Sequence, residues 1–392
     1  MPYGTPDRLP PLSILRQLIS FPTVSSDTNR PLIEWVAAYL AAHEIEHHLW
    51  RDPDQPEKVG LAAHVGPRVE GAIVLSGHTD VVPVEGQTWS TDPFILEERD
   101  GKYFGRGAAD MKGFVSLAIW ALVEARYGAL KTPLQLVLSF DEEIGCSGAP
   151  PLIAAMQEWL PRGKAVIVGE PSLMRTVTAH KGISGFNTRL LGHEVHSSLL
   201  PYGVNAVMEA AELIAWAKAR NERAAAQVLS ETASLFDPPY TTAHVGTIHG
   251  GTAHNITAKE CMLDMTFRVV PGESVGEVTA AYKAEVARLE AKMRAVNPAC
   301  AILLGPLFDV PPLTPEVDGV AEGLVRSLTG DNCVHAVSFA SESGQFQAAG
   351  YSTVLCGPGD IAQAHQPDEF ISKAQFQLGQ DFMCNLLDRL SE

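Results

Sequence analysis

The chain has 392 residues, 46% apolar and 19% charged, a globular composition too long for one ordinary hydrophobic core. A net charge of −17 makes nucleic acid and anionic membrane surfaces poor partners. The six cysteines are scattered without a CxxC pair, which argues against a cysteine zinc site and fits free thiols in a reducing cytoplasm. No apolar run reaches the length of a membrane span. Residues 1–24 lack the basic and apolar segments of a secretory signal, so a cytoplasmic location is expected.

Residues 10–21 and 31–44 read as amphipathic helices, the second preceded by polar cap candidates. Three apolar runs follow, at 71–80, 132–143 and 165–171. Each is rich in Val, Ile and Leu without alternation, as in strands buried on both faces. Helical stretches at 114–130 and 149–160 lie between them. This alternation predicts an α/β domain whose mixed, mainly parallel sheet carries helices on both faces.

The pattern changes after Pro171. From 178 to 290 the expected order is strand, helix, two alternating strands and helix. TTAHVGTIHGG and KECMLDMTFRVVP alternate, which suits half-exposed antiparallel strands. A small α+β domain at 178–290 is therefore expected, inserted between 1–177 and 291–392. CVHAVSFASE and STVLCGPG read as further strands of the larger domain, and a closing helix is expected near 373–390.

Acids and histidines gather where the strands of the larger domain end. His78 and Asp80 follow one strand, Asp141, Glu142 and Glu143 another, and Glu170 a third. His365 follows the strand near 353–356, and Asp110 lies in the loop GRGAADMKG before a helix. In open α/β sheets the carboxyl ends of the strands form the ligand crevice. So many like charges cannot all stay ionised at contact distance without compensating cations. Asp110, Glu143, Glu170 and a hydroxide would balance two divalent ions, with His78 and His365 as neutral donors. Mixed imidazole and carboxylate ligation suits zinc, and also cobalt or manganese. Asp80 is placed to accept the second N–H of His78.

Taken singly, each of these residues has an ordinary structural reading, and the joint pattern carries the weight. GRGAAD lacks the third glycine of a dinucleotide fingerprint, and HEVH spaces its histidines three apart instead of the zincin four.

The segments SGHTDVVPVEGQTW, YFGRGAADMKGF, DEEIGCSGA and GEP resemble those of the aminoacylase-type metallopeptidases. The similarity continues through HKG, HSSLLPYGVNA, GGTAHNIT, FRVVPGE and AHQPDEF, nearly the whole chain. It points to the branch that holds the acetylornithine deacetylases, the succinyl-diaminopimelate desuccinylases and carboxypeptidase G-like enzymes. The resemblance implies a catalytic domain with two metal ions, zinc or cobalt, and an inserted lid through which a homodimer forms. His78 would bind one metal and His365 the other, Glu143 one and Glu170 the other, and Asp110 would bridge them, in a peptide bond to Met111 that is often cis in the family. Glu142 would be the general base. His196, from its own subunit or its partner's, would stabilise the oxyanion. Asn255 and Arg268 would contact substrate, Arg268 as a fork for an α-carboxylate.

FASESGQF and CGPGDIAQAHQPDEF are similar to the deacetylase side of the branch, where desuccinylases carry a TSGGTSDGRF-like segment. Glu342 is then a candidate partner for a cationic substrate tail, with a structural loop carboxylate as the alternative. The activity implied is hydrolysis of a small N-acyl amino acid, N2-acetyl-L-ornithine first, in arginine biosynthesis. N-acetylcitrulline, N-succinyl-diaminopimelate or a dipeptide would use the same chemistry. A non-enzymatic metal-binding relative is disfavoured, since a binder needs no free base beside Glu143.

Overall fold

The computed structural model describes residues 6–227 and 230–392. In chain order the first elements are α1 (Pro11–Ile19), α2 (Arg30–Ala42), β1 (Glu46–Arg51), β2 (Val59–Val65) and β3 (Ala72–His78). Next come β4 (Glu97–Arg99), β5 (Lys102–Phe104), α3 (Lys112–Tyr127), β6 (Leu134–Ser139), α4 (Ala149–Trp159) and β7 (Gly163–Pro171). Then follow β8 (Val177–His180), β9 (Gly182–Leu191), α5 (Ala206–Ala225), β10 (Thr242–Gly250), β11 (Glu260–Val269), α6 (Val275–Val296) and β12 (Ala301–Val310). The chain closes with α7 (Val320–Thr329), β13 (His335–Val337), α8 (Ser343–Ala348), β14 (Ser352–Gly357), β15 (Phe370–Ser372) and α9 (Lys373–Ser391).

Two compact units divide the chain. The first runs to Ala179 and resumes over Pro315–His335 and Ser341–Glu392. The second is His180–Thr314 with Ala336–Ala340.

The first unit is built on a sheet whose strands run in the order β1-β2-β6-β3-β7-β14-β8. Its centre, β6-β3-β7-β14, is parallel, and β1, β2 and β8 pair antiparallel at its flanks. The unalternating runs of β3, β6 and β7 have the expected cause. Ile73, Leu75, Leu136, Leu138 and Ile167 join a core with α1, α2, α3, α7 and α9. Val74, Val137, Val166 and Val168 join another with α4 and α8 on the opposite face. Each such side chain removed from water contributes roughly 1.5–3 kcal/mol. Prolines in the first turn of α1, α2 and α4 supply the helical φ where no N–H is needed. β1 and β2 were not expected from the sequence. β1, EHHLWR, carries polar residues on an edge strand and shows neither a buried run nor a clean alternation.

The second unit has a four-stranded antiparallel sheet, β10-β11-β9-β12. Leu263, Met265 and Phe267 of β11 pack with Leu213 of α5 and with Tyr282 and Leu289 of α6. Asn205 caps α5 and Ser274 caps α6 by accepting backbone amides, Ser274 in the S-x-x-E pattern with Glu277. The expected boundary at 290 is corrected to Thr314. α6 continues to Val296, and β12 pairs along the whole of β9. β12 escaped the sequence reading because Pro306 interrupts it at a register shift, a place an edge strand tolerates. CVHAVSFASE is likewise only a three-residue strand.

Candidate metal centre

The first unit brings His78, Asp110, Glu142, Glu143, Glu170 and His365 together. His78 ends β3, Glu142 and Glu143 follow β6, and Glu170 lies near the end of β7. Asp110 precedes α3 with a cis peptide to Met111, and His365 follows β14 and a short turn. At Gly169 an added Cβ would lie 2.0 Å from the Phe114 ring, so the residue before Glu170 has no room for a side chain. Asp141 and His365 both hold positive φ, +55° and +62°, a conformation that non-glycine residues adopt at a cost.

Asp110 stands between the two imidazoles. Its Oδ1 is 3.0 Å from His78 Nε2, and its Oδ2 is 3.5 Å from His365 Nε2. His365 Nε2 is also 2.9 Å from Glu143 Oε2, and His78 Nε2 is 3.9 Å from Glu170 Oε1. Ligand atoms of His78, Asp110 and Glu143 lie within 4.8 Å of one another, as do those of His78, Glu142 and Glu170. Among the described residues, Oε1 of Glu143 and Oε1 of Glu170 are buried without a hydrogen-bond partner. Buried, donor-less carboxylate oxygens beside imidazole nitrogens fit the donor set of divalent cations.

The electrostatics have the same sense. Burial, then the charge of Asp110, pushes Glu143 up to about 7. Burial also pushes Glu142 and Glu170 well above the usual carboxylate range, aided by neighbouring carboxylates. Hydrogen bonds to Asp110 and Glu143 raise His365 to about 10. For His78 burial works against the charged form, but its bonds to Asp110 and Asp80 outweigh it and raise the imidazole. Burial opposes ionisation of Asp110, yet the two imidazoles hold it below the usual range.

Asp80 differs from expectation in one respect. His78 Nδ1 lies 2.9 Å from the Asp80 carbonyl oxygen, and the carboxylate is farther, at 3.5 Å. The carboxylate turns instead to Ser25 Oγ (2.6 Å) and to the amides of Glu142 (3.2 Å) and Glu143 (3.3 Å). It therefore holds the Glu142–Glu143 turn as well as facing His78. Glu142 keeps its side chain beside Cys146, whose thiol donates to Oε1 at 3.2 Å. Glu342 begins α8 and is buried, 1% exposed, with Glu142 close enough for the two charges to oppose each other. Burial pushes Glu342 up to about 7.

His196, Asn255 and Arg268 belong to the second unit, and all three are exposed there. His196 and Asn255 are neighbours: the carbonyl of Asn255 accepts from the Ser197 amide at 2.9 Å, and His196 bridges to Ile256. Arg268 stands on β11 opposite Ile183 of β9 and Thr242 of β10.

Ser25, Lys58, Arg106 and Glu369 support the centre without having been singled out. Glu369 lies inside the quoted motif AHQPDEF, which was the available signal; Ser25 and Lys58 had none. A separate group, Asp331, Cys333 and His335, also places its ligand atoms within 4.8 Å. There the Asp331 carboxylate is already occupied by the amides of Thr176 and Cys333 and by His335. All six cysteines are free, and among the described residues no helix is long and apolar enough to cross a membrane.

Residues 74–389 match the family model described as Peptidase family M20/M25/M40. An acetylornithine deacetylase from Myxococcus xanthus is 34% identical over 378 residues, covering 93% of each chain. The M20 family metallo-carboxypeptidase of Sulfolobus solfataricus shares the fold, with a TM-score of 0.76 at 17% identity over 97% of this chain and 99% of that one. A dinuclear metal binding peptidase of the M20 family from Bacillus subtilis superposes with a TM-score of 0.62 at 15% identity, over 96% of each chain. With its sheet, its clustered imidazoles and carboxylates and these relatives in agreement, the chain belongs to peptidase family M20/M25/M40 and is a hydrolase acting on amide bonds.

Proposed function

We propose that this protein removes the acyl group from N-acyl amino acids, N2-acetyl-L-ornithine foremost, at a centre of two divalent cations. The observation that carries the reading is Asp110 between His78 and His365, with Glu142 beside them. The similarity to the Myxococcus acetylornithine deacetylase supports the substrate, and that to the dinuclear metal binding peptidase of Bacillus subtilis supports the cation count.

Cations held by His78, Asp110, Glu143, Glu170 and His365, zinc or cobalt by the donor chemistry, would supply Lewis acidity that activates water and polarises the amide carbonyl. Glu142 takes the proton of the attacking water and passes it to the departing amine. Asp80 keeps the Glu142–Glu143 turn in register through its two amide bonds. His196 donates to the developing oxyanion. Arg268 pairs with the α-carboxylate, Asn255 contacts the substrate beside His196, and Glu342 faces the cationic tail.

The second unit is the lid and the dimer contact in this reading. Its sheet ends on the edge strand β10, and Val207 and Met208 of α5 and Ile248 of β10 are exposed. A cytoplasmic place in arginine biosynthesis follows from the substrate.

The test is a panel of N-acetyl-ornithine, N-acetyl-citrulline, N-acetyl-methionine and N-succinyl-diaminopimelate with added zinc or cobalt. The reading expects the highest kcat/KM on N-acetyl-ornithine. It also expects Glu342→Gln to lower that value while sparing N-acetyl-methionine. A preference for the succinyl substrate would refute the choice of substrate but not the hydrolase.

A further inference from the structure

Glu369 lies four residues beyond His365 and is 1% exposed. Its Oε1 accepts from the backbone amides of Ala109 (2.9 Å) and Asp110 (3.0 Å). Its Oε2 accepts from the amide of Gly107 (3.0 Å) and from the Arg106 guanidinium (2.8 Å). Its own carbonyl accepts from the Gly105 amide at 2.9 Å. Arg106, equally buried, donates also to the carbonyl of Gln366 (3.3 Å) and to Gln87 Oε1 (2.5 Å). Gln87 in turn donates to the carbonyl of His365 at 2.9 Å. The contacts thus close a ring between the loop that carries Asp110 and the loop that carries His365.

We infer that Glu369 is a positioning residue that locks these two loops in register, and so sets the spacing of Asp110 and His365 on which both cation positions depend. The inference rests on the two-cation reading above. Its chemical basis is the number of donors aimed at one carboxylate. A buried charge is costly unless paired and hydrogen-bonded, and here three amides and one guanidinium meet that requirement. The Asp110 amide is among the donors, so displacing the carboxylate moves the backbone of the residue that reaches both imidazoles. Glutamine has the same shape but only one acceptor oxygen, and its NH2 would face N–H donors on the other side. The hold on the loops therefore depends on the carboxylate and not merely on a filled volume.

The test begins with metal-free protein prepared by chelation. Zinc uptake is followed by calorimetry and cobalt uptake by its visible spectrum, with thermal unfolding confirming a folded chain. Glu369→Gln is expected to bind zinc about 10–100-fold more weakly, with an altered cobalt spectrum. Glu369→Asp, which keeps both acceptors but is one methylene shorter, should lose less. Wild-type affinity and spectrum in folded Glu369→Gln would overturn the inference, even with a lowered Tm, because that is the signature of a purely structural role. If Glu369→Gln does not fold, the same measurements on Glu369→Asp decide. Amide exchange in metal-free protein reads the coupling without any cation. Faster exchange at Ala109 and Asp110 in the variant supports it, and unchanged exchange refutes it. Wild-type protein that takes up fewer than two cations, with exchange still accelerated in the variant, would instead sink the two-cation reading and leave the loop lock standing.

Discussion

Lys58 Nζ lies 2.6 Å from Asp141 Oδ1, and the two side chains are only 6% and 5% exposed. The same ammonium donates to the Ser25 carbonyl at 2.6 Å, and the Ser25 hydroxyl donates to Asp80. Asp141 immediately precedes Glu142 and Glu143, whose amides Asp80 accepts. An ion pair thus anchors the turn that carries both glutamates. Burial pushes Asp141 up and Lys58 pulls it part of the way back. Lys58→Met should leave Asp141 buried and unpaired, and lower stability by about 3–5 kcal/mol in urea unfolding. Replacing Asp141 by Asn in the same chain should recover part of the loss, since no unpaired charge then remains and Asn tolerates the positive φ at this position.

Glu142→Ala should retain both cations and lower kcat by roughly 10²–10⁴ or more, the cost of losing proton transfer. Metal analysis beside a rate measurement separates the roles of the two adjacent glutamates. Loss of a cation in this variant would mean that Glu142 and Glu143 are assigned the wrong way round.

Asp110→Ala removes the carboxylate that approaches both imidazoles. Cation stoichiometry should fall below two per chain, measured on protein dialysed against dilute zinc. Full occupancy would contradict a bridging Asp110.

Cation binding should release protons. In the metal-free protein Glu143 is raised to about 7 and His365 to about 10, so near neutral pH His365 carries a proton and Glu143 is only partly ionised. Ligation requires them deprotonated, so affinity should fall as pH is lowered and rise as it is raised. Calorimetric titrations with zinc in two buffers of different ionisation enthalpy count the released protons. A value of zero at neutral pH would be inconsistent with this electrostatic arrangement.

Much of the architecture was legible from residue types. β3, β6 and β7 announced themselves because a strand covered on both faces must be apolar at every position. α5 and α6 showed the 3.6-residue period of a one-sided helix, and β11 the alternation of a one-sided strand. β1 and β12 did not, because edge strands tolerate polar residues, a proline and a register shift. Placing the domain boundary at 290 instead of 314 followed directly from missing β12.

The sequence by itself determined the candidate donor set: two histidines and several acids at strand ends and loops, in segments similar to those of one hydrolase family. That was possible because each candidate sits at its own strand end or loop, which local patterning reveals. Only the tertiary structure decided how these side chains are held. The Arg106–Glu369 bond joins residues 263 apart, and Lys58–Asp141 joins residues 83 apart. Such pairs leave no periodicity in either segment, because their partners are chosen by the packing of the whole sheet and not by neighbours along the chain. The same packing turned the Asp80 carboxylate toward the Glu142–Glu143 amides, leaving its carbonyl to bond His78.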